Sequence, residues 1–302
     1  MAISSAIKKD NIDNTDFSHL SKRHPCLGGE AHLNFGRIHL PVSPACNIQC
    51  RFCIRDCNNN EDRPGVANGI LSPKDSVETV KKALELCPQI TVVGIAGPGD
   101  TLATPHAIET FKLVHKAYPD LIKCLSTNGL LLYRYAQDIY DAGVRTITVT
   151  VNAVDPYIQS QVISHIILDG KVYYGEEAAE ILINSQLNGI EKISKLGVVV
   201  KVNSVLIPGI NDHHIEEIAK TVKAAGASLY NIIPLIPQHE LSHIPAPTCE
   251  QLDKARVTAE KHLGVFRHCK HCRADACGIP GKEDLSSKLY GTHKHLETFS
   301  HG

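Results

Sequence analysis

The sequence lacks an excess of either charge: 31 Lys and Arg stand against 32 Asp and Glu, for a formal net charge of −1 and a pI of about 7.0. Without a basic surplus, neither nucleic acid nor an anionic membrane is an expected partner. The chain also lacks an apolar run long enough to cross a bilayer. Met1–Asp10 lacks the apolar stretch of a secretory signal, and no internal repeat is visible. These absences read as a soluble, cytoplasmic protein. A hydrophobic content of 43% over 302 residues is enough for one large domain or two small ones with a sizeable core.

What the chain has in abundance is metal-ligand chemistry, with 11 cysteines and 17 histidines. In a reducing compartment, clustered thiols bind metal or do redox work more often than they pair. An odd number also fits a complete disulfide framework poorly.

Residues 1–22 are polar and without periodicity, and read as a mobile arm. An early strand is expected within His32–Leu40. From Ile90 onward, strand-like and helix-like segments alternate. The strand candidates are Ile90–Ile95, Leu121–Ser126, Thr146–Val151, Val198–Val205 and Leu229–Leu235. They are mostly β-branched runs without strict alternation, as expected of strands buried on both faces. Ser72-Pro73-Lys74-Asp75 has the residues of a helix start, followed by Val77, Val80 and Leu84 on one face. Thr104-Pro105 opens a second helix, with Ile108 and Phe111 inward. Asn211-Asp212 opens a third, with Ile215, Ile218, Ala219 and Val222 inward and Gly226 near its end. Repeated strand–helix units imply an α/β fold with a parallel sheet: a partial barrel, a complete barrel or a doubly wound sheet. In each, functional sites gather at the C-terminal ends of the strands.

The strongest local signal is Cys46-Asn47-Ile48-Gln49-Cys50-Arg51-Phe52-Cys53. Three thiolates on one loop can ligate three irons of a [4Fe-4S] cluster and leave the fourth iron open. An open iron can chelate the amino and carboxylate groups of S-adenosylmethionine (SAM), and an electron from the cluster can break a C–S bond of the sulfonium. A zinc site is the competing reading, but zinc clips normally come in close pairs, and the next clip, Cys269/Cys272, is more than 200 residues away. Unliganded thiols are the other. The Cys-x3-Cys-x2-Cys spacing, with aromatic Phe52 before the last cysteine, resembles the defining motif of the radical SAM superfamily. That resemblance implies a partial (β/α)6 barrel.

Further candidate ligands sit at turns and strand ends: His24, Cys26, Cys57, Cys124, Cys269 and Cys272. Cys87 and Cys249, at the ends of amphipathic helices, read as packing residues. Gly94–Asp100 carries glycines that let backbone approach a ligand and expose amides to it, although an ordinary strand–helix turn is an equal reading. Glu61 and Arg63 place an acid and a guanidinium beside the cysteine loop, where a solvated turn is the plainer alternative. Thr148, Thr150 and Asn152 form a polar row if their segment is a strand.

Taken in order, these segments closely resemble the NifB family of radical SAM proteins: His24-Pro25-Cys26, Cys46–Cys53, Glu61–Gly65, Ala96–Asp100, Thr148–Asn152 and Cys269–Gly278. The chain resembles the stand-alone form, without the NifX-like carrier domain that many members add. The resemblance implies a radical SAM core over 46–240, cluster-binding extensions over 23–45 and 241–285, and a polar tail over 286–302 that includes His293, His295 and His301 and is assigned no function. It implies fusion of two [4Fe-4S] units into an [8Fe-9S-C] cluster, with one SAM as methyl donor and another as source of the 5′-deoxyadenosyl radical. It implies Cys46, Cys50 and Cys53 on the SAM-binding cluster. Of two auxiliary [4Fe-4S] clusters, one would be held by His24, Cys57 and Cys124 and the other by Cys26, Cys269 and Cys272. Cys277 falls at a variable position and is left out. Glu61 would bind iron or shuttle a proton, with Arg63 orienting it. Gly97, Pro98, Gly99, Asp100, Asn128 and Asn152 would contact SAM. Implied partners are an electron donor such as ferredoxin or flavodoxin, an iron–sulfur donor and cofactor-accepting nitrogenase assembly proteins. Two rivals remain: a radical SAM enzyme with auxiliary clusters acting on a peptide or small molecule, and a non-catalytic iron–sulfur or zinc carrier.

Overall fold

The computed structural model describes residues 17–282, 284–291 and 300–301. Six strands carry the fold: β1 (Gly36–His39), β2 (Ile90–Ile95), β3 (Ile122–Thr127), β4 (Val144–Thr150), β5 (Val199–Leu206) and β6 (Leu229–Pro234). Each pairs in parallel with the next, so the strand order is the chain order. The helices that follow them are α1 (Ser76–Leu86), α2 (His106–Ala117), α3 (Leu132–Asp141), α4 (Gly175–Lys195), α5 (Ile215–Ala224) and α6 (Cys249–Glu260). A doubly wound sheet reverses its strand order midway, and this one does not. Right-handed crossovers in unbroken order keep the helices on one face, and the sheet curls into a partial barrel. Cys277–Gly278 adds a seventh, antiparallel strand on the free edge of β1.

The two faces of the sheet differ in chemistry. Ile38, Val93, Leu125, Ile147, Val200 and Val202 pack outward against Phe111, Val114, Ile139, Ile190, Ile218 and Val222. Successive strand residues alternate faces, so Arg37, His39, Cys124, Thr146, Thr148, Lys201 and Asn203 turn inward. Small barrels usually fill their interior with branched apolar side chains. This interior is polar and carries a thiol, which marks a chamber. Its lower end is plugged by Phe17, Leu27, Val199, Leu229 and Phe266.

Several elements differ from the sequence-based expectation. His32 lies in a short helix, Gly29–Asn34, and its Nδ1 meets Pro25 O at 2.8 Å, so only the second half of the expected first strand is extended. Ser72–Asp75 forms a turn, with Ser72 Oγ donating to Asp75 Oδ2 at 2.7 Å, and α1 starts only at Ser76. Between β4 and α4 stand a helix (Pro156–Val162) and a hairpin of Ile163–Leu168 with Lys171–Tyr174. Within the segment read as a mobile arm, Ser18–Ser21 is helical and Phe17 is buried. Residues 1–16 lie outside the described residues. Ser286–Tyr290 is helical, and the Tyr290 hydroxyl donates to His39 O. His293 and His295 lie outside the described residues, as does the side chain of His301.

Candidate metal-cluster chamber

The cysteine loop joins β1 to α1 at the C-terminal end of the barrel. The hairpin after β4 holds it: Ile48–Cys50 pairs antiparallel with Ile163–Leu168, and Cys46, Ile48, Leu130, Ile163 and Ile166 bury one another. On its other side the loop is held by the glycine segment after β2. Gly99 N donates to Ser43 O and Asp100 N to Ala45 O, each at 2.8 Å. A Cβ at Gly99 would lie 2.1 Å from Ala45 O, so only glycine permits this approach. Both amides are spent on holding the loop. Asp100 is also turned inward. Its carboxylate accepts from Leu102 N at 2.9 Å, Asn128 N at 2.6 Å and Thr127 Oγ1 at 2.9 Å. Burial raises its pKa and those donors oppose the rise. Asn128 is a strut of the same kind, with Nδ2 donating to Asn47 Oδ1 at 2.7 Å and Oδ1 accepting from Leu130 N at 2.8 Å. Asn152 Oδ1 accepts from Val205 N at 2.9 Å and so ties the end of β4 to β5. Asp100, Asn128 and Asn152 thus shape the wall through internal bonds.

Within the loop the three thiols are electrostatic neighbours. Burial pushes Cys46 up to about 11, and Cys50 rises through burial and the nearby Cys53. The Arg55 guanidinium stands close to all three. Gln49 Nε2 closes the turn by donating to Cys50 O at 2.9 Å and Cys53 O at 3.1 Å. A cavity of about 210 Å³ opens beside Cys53, walled by Phe52, Arg63, Pro98, Val205 and Ile233. Among the described residues, no three His, Cys, Asp or Glu side chains converge tightly enough for a single metal ion. A four-iron cluster spans its ligands more widely than one ion does.

Glu61 and Arg63 form a bidentate pair at 2.8 and 3.1 Å, with Arg63 Nη1 also on Ile54 O at 2.5 Å. The hydrogen bonds from Arg63 and Asn58 hold the Glu61 carboxyl below its usual range, so it is an ionised ligand-type group and a weak base. Behind it, buried Arg273 pairs with Asp275 at 2.9 Å and donates to Asn58 O, Asn68 Oδ1 and Glu61 O. The C-terminal Cys269–Gly278 segment is thereby stitched to the cysteine loop.

The remaining ligand candidates divide by position. His24 is buried with Nδ1 3.1 Å from Cys26 N, and its Nε2 is buried without a partner. Burial, with Lys201 nearby, lowers its pKa to about 3, which keeps the ring neutral as a metal ligand must be. Cys26 is pushed up to about 12 by burial, with Cys272 and Cys124 among its neighbours. Arg37 Nη2 donates to Cys272 Sγ at 3.1 Å. The interior thus gathers His24, Cys26, Cys124 and Cys272 from three distant segments. Cys57 stands apart, beside Asp56, Asp275 and Arg273, and Cys269 packs on the apolar plug. An orphaned buried imidazole nitrogen beside converging thiols is a donor set that fits iron–sulfur ligation.

Sequence reasoning missed Arg37, His39, Arg55 and Lys201. Arg55 lies two residues beyond the motif and was findable from it. The period-2 alternation places Arg37 and His39 on one face, and Lys201 interrupts an otherwise apolar run. Those were the signals available. His39 Nδ1 donates to Arg273 O at 3.0 Å, and a Cβ at Gly94 would lie 2.9 Å from the His39 ring.

The Radical SAM superfamily model matches residues 40–222. The FeMo cofactor biosynthesis protein NifB of Methanocaldococcus infernus is 48% identical over 276 residues, covering 91% of each chain. That of Methanocaldococcus jannaschii is 48% identical over 286 residues, 94% of this chain and 95% of its own length. The NifB of Klebsiella pneumoniae is 44% identical over 88% of this chain but only 58% of its own length. In fold, the chain is similar to a radical SAM methyltransferase from Sphaerobacter thermophilus, with a TM-score of 0.56 and 16% identity over 76% of this chain and 64% of that one. It is also similar to methylornithine synthase, with a TM-score of 0.52 and 13% identity over 78% of this chain and 72% of that one. The chain therefore belongs to the NifB family of the radical SAM superfamily.

Proposed function

We propose that this protein builds the carbide-containing precursor of the nitrogenase FeMo cofactor, fusing two [4Fe-4S] substrate clusters into an [8Fe-9S-C] product. The observation that carries this reading is the polar chamber. Thiols and an orphaned imidazole from His24, Cys26, Cys124 and Cys272 gather in the barrel interior, and the loop at the C-terminal end of the same barrel presents Cys46, Cys50 and Cys53. A core over 46–240 carries the SAM chemistry, and the flanking segments 23–45 and 241–285 supply ligands to the substrate clusters.

Cys46, Cys50 and Cys53 hold the resident cluster, which when bound supplies the electron for cleavage of SAM. Arg55 balances the charge of the three thiolates, and packing against the hairpin shields Cys46 from water. Gly97, Pro98 and the cavity walled by Phe52, Val205 and Ile233 receive the adenosyl part of SAM, whose apolar ring faces suit that lining. The His24, Cys26, Cys57, Cys124, Cys269 and Cys272 set holds the substrate clusters. His24, Cys57 and Cys124 hold one of them, and Cys26, Cys269 and Cys272 the other. Glu61, kept ionised by Arg63, offers a carboxylate to an incompletely ligated iron. Incomplete protein ligation suits clusters that must leave as product. A ferredoxin or flavodoxin would supply electrons, and iron–sulfur donors and cofactor-accepting assembly proteins would flank the reaction.

The test is anaerobic reconstitution with iron and sulfide, followed by reductant and SAM. S-adenosylhomocysteine and 5′-deoxyadenosine are quantified together with bound iron. Both nucleosides with iron for several clusters are expected. 5′-Deoxyadenosine alone would turn the reading towards a peptide or small-molecule substrate, and neither nucleoside from a loaded protein towards a carrier.

A further inference from the structure

Arg37 on β1 and Lys201 on β5 turn into the barrel between the chamber thiols, 5% and 7% exposed. Burying a cation is costly unless an opposite charge meets it. Arg37 Nη1 donates to Gly278 O at 2.6 Å and Nη2 to Cys272 Sγ at 3.1 Å, and its Nε is buried without a partner. Lys201 Nζ reaches Cys26 O at 3.4 Å and stands 5.5 Å from the Phe266 ring centroid. Neither cation forms an ion pair with a carboxylate among the described residues. Lys201 lies near His24, Cys26 and Cys124, and Arg37 near Cys26 and Cys272, with the Asp284 carboxylate acting on Arg37 more weakly and without forming an ion pair.

We infer that Arg37 and Lys201 are the built-in counter-charge for an anionic, thiolate-ligated iron–sulfur unit in this chamber. They act as positioning residues, holding the substrate cluster through charge without ligating it. This rests on the reading that Cys26, Cys124 and Cys272 hold cluster iron. Two consequences follow from the charge. A fixed cation favours the more negative, reduced state of the cluster and so raises its potential. The same cation burdens the empty chain, so removing it relieves the apo protein while weakening the loaded one.

The experiment compares the full-length chain with Lys201→Met, Arg37→Met and Lys201→Arg. Iron and acid-labile sulfide are counted after anaerobic loading. The midpoint of the auxiliary clusters is followed by electron paramagnetic resonance, and apo melting is recorded. Both Met variants are expected to lose iron beyond the first cluster, or to keep it at a lower midpoint. Lys201→Arg is expected to restore both, and apo Lys201→Met to melt no lower than wild type. Wild-type auxiliary iron and midpoint in both Met variants would overturn the inference. So would Met variants that fail to fold as apo protein, since the cations would then serve the polypeptide itself. If the wild type takes up only one cluster, the ligand reading falls and this inference falls with it. If the wild type takes up more and the variants match it, only this inference falls.

Discussion

The cysteine loop and the interior chamber are both built from thiols, yet they are made in opposite ways. Cys46, Cys50 and Cys53 come from one short loop and need the fold only to steady it, through the hairpin at Ile163–Leu168 and the clamp from Gly99. The chamber draws His24, Cys26, Cys124 and Cys272 from segments up to the full length of the domain apart, and exists only when the barrel closes around it. A local motif can keep its geometry through local strain. A dispersed one depends on each long-range contact that sets its walls. The two regions should therefore fail separately.

The sharpest test of that separation is a pair of cysteine substitutions. Cys50→Ala should lower 5′-deoxyadenosine formation by roughly two orders of magnitude or more, because the resident cluster loses a ligand. Cys272→Ala should keep measurable cleavage and lose auxiliary iron. Equal loss of cleavage in both would merge the two regions into one. Next in size is Arg273→Met, which leaves the fully buried Asp275 carboxylate uncompensated. It should cost about 3–5 kcal/mol in a denaturant titration and loosen both regions together, since Arg273 spans them. Gly99→Ala should break the comparison in the other direction. Its Cβ meets the Ala45 carbonyl, so a cost of about 1–3 kcal/mol should appear with loss of first-cluster iron while chamber iron stays.

Proton coupling offers a gentler probe. Cys46 at about 11 and Cys26 at about 12 are protonated in the empty chain at neutral pH, and each must release a proton to bind iron. Iron affinity should rise with pH, by up to about tenfold per unit for each thiol deprotonated. For the empty fold the sign is opposite. Thiols raised by burial stabilise it below their unfolded pKa, and that contribution fades as pH climbs through the raised values. Smallest is Thr248→Ala at the capping box of α6, which should cost about 1 kcal/mol and move neither iron nor nucleoside readouts. A change in either would mean that general stability, and not the ligand geometry, governs loading.

Much of the barrel was legible because strands buried on both faces announce themselves as β-branched runs. Ile90–Ile95 stands as read, and Leu229–Leu235 differs by one residue. The hairpin after β4 was legible but missed: Asp169-Gly170, both at positive φ and closing the Leu168–Lys171 pair, is the residue pair a two-residue hairpin turn requires. The glycine segment was legible as a close backbone approach but not as to its partner. Glycine spacing says that something comes near, and only the Ser43 and Ala45 carbonyls show that it is the cysteine loop.

The sequence by itself determined the parallel α/β order, the three-cysteine loop and the inventory of other ligands, because strand runs and motif spacing are local properties. The tertiary structure alone decided that Cys26 has Cys124 and Cys272 as neighbours, that Asp100, Asn128 and Asn152 brace the wall through internal bonds, and that Arg37 and Lys201 stand among thiols with no ion-paired carboxylate among the described residues. Those are facts of side-chain direction and long-range register, set when the sheet curls and its inward face becomes a shared interior.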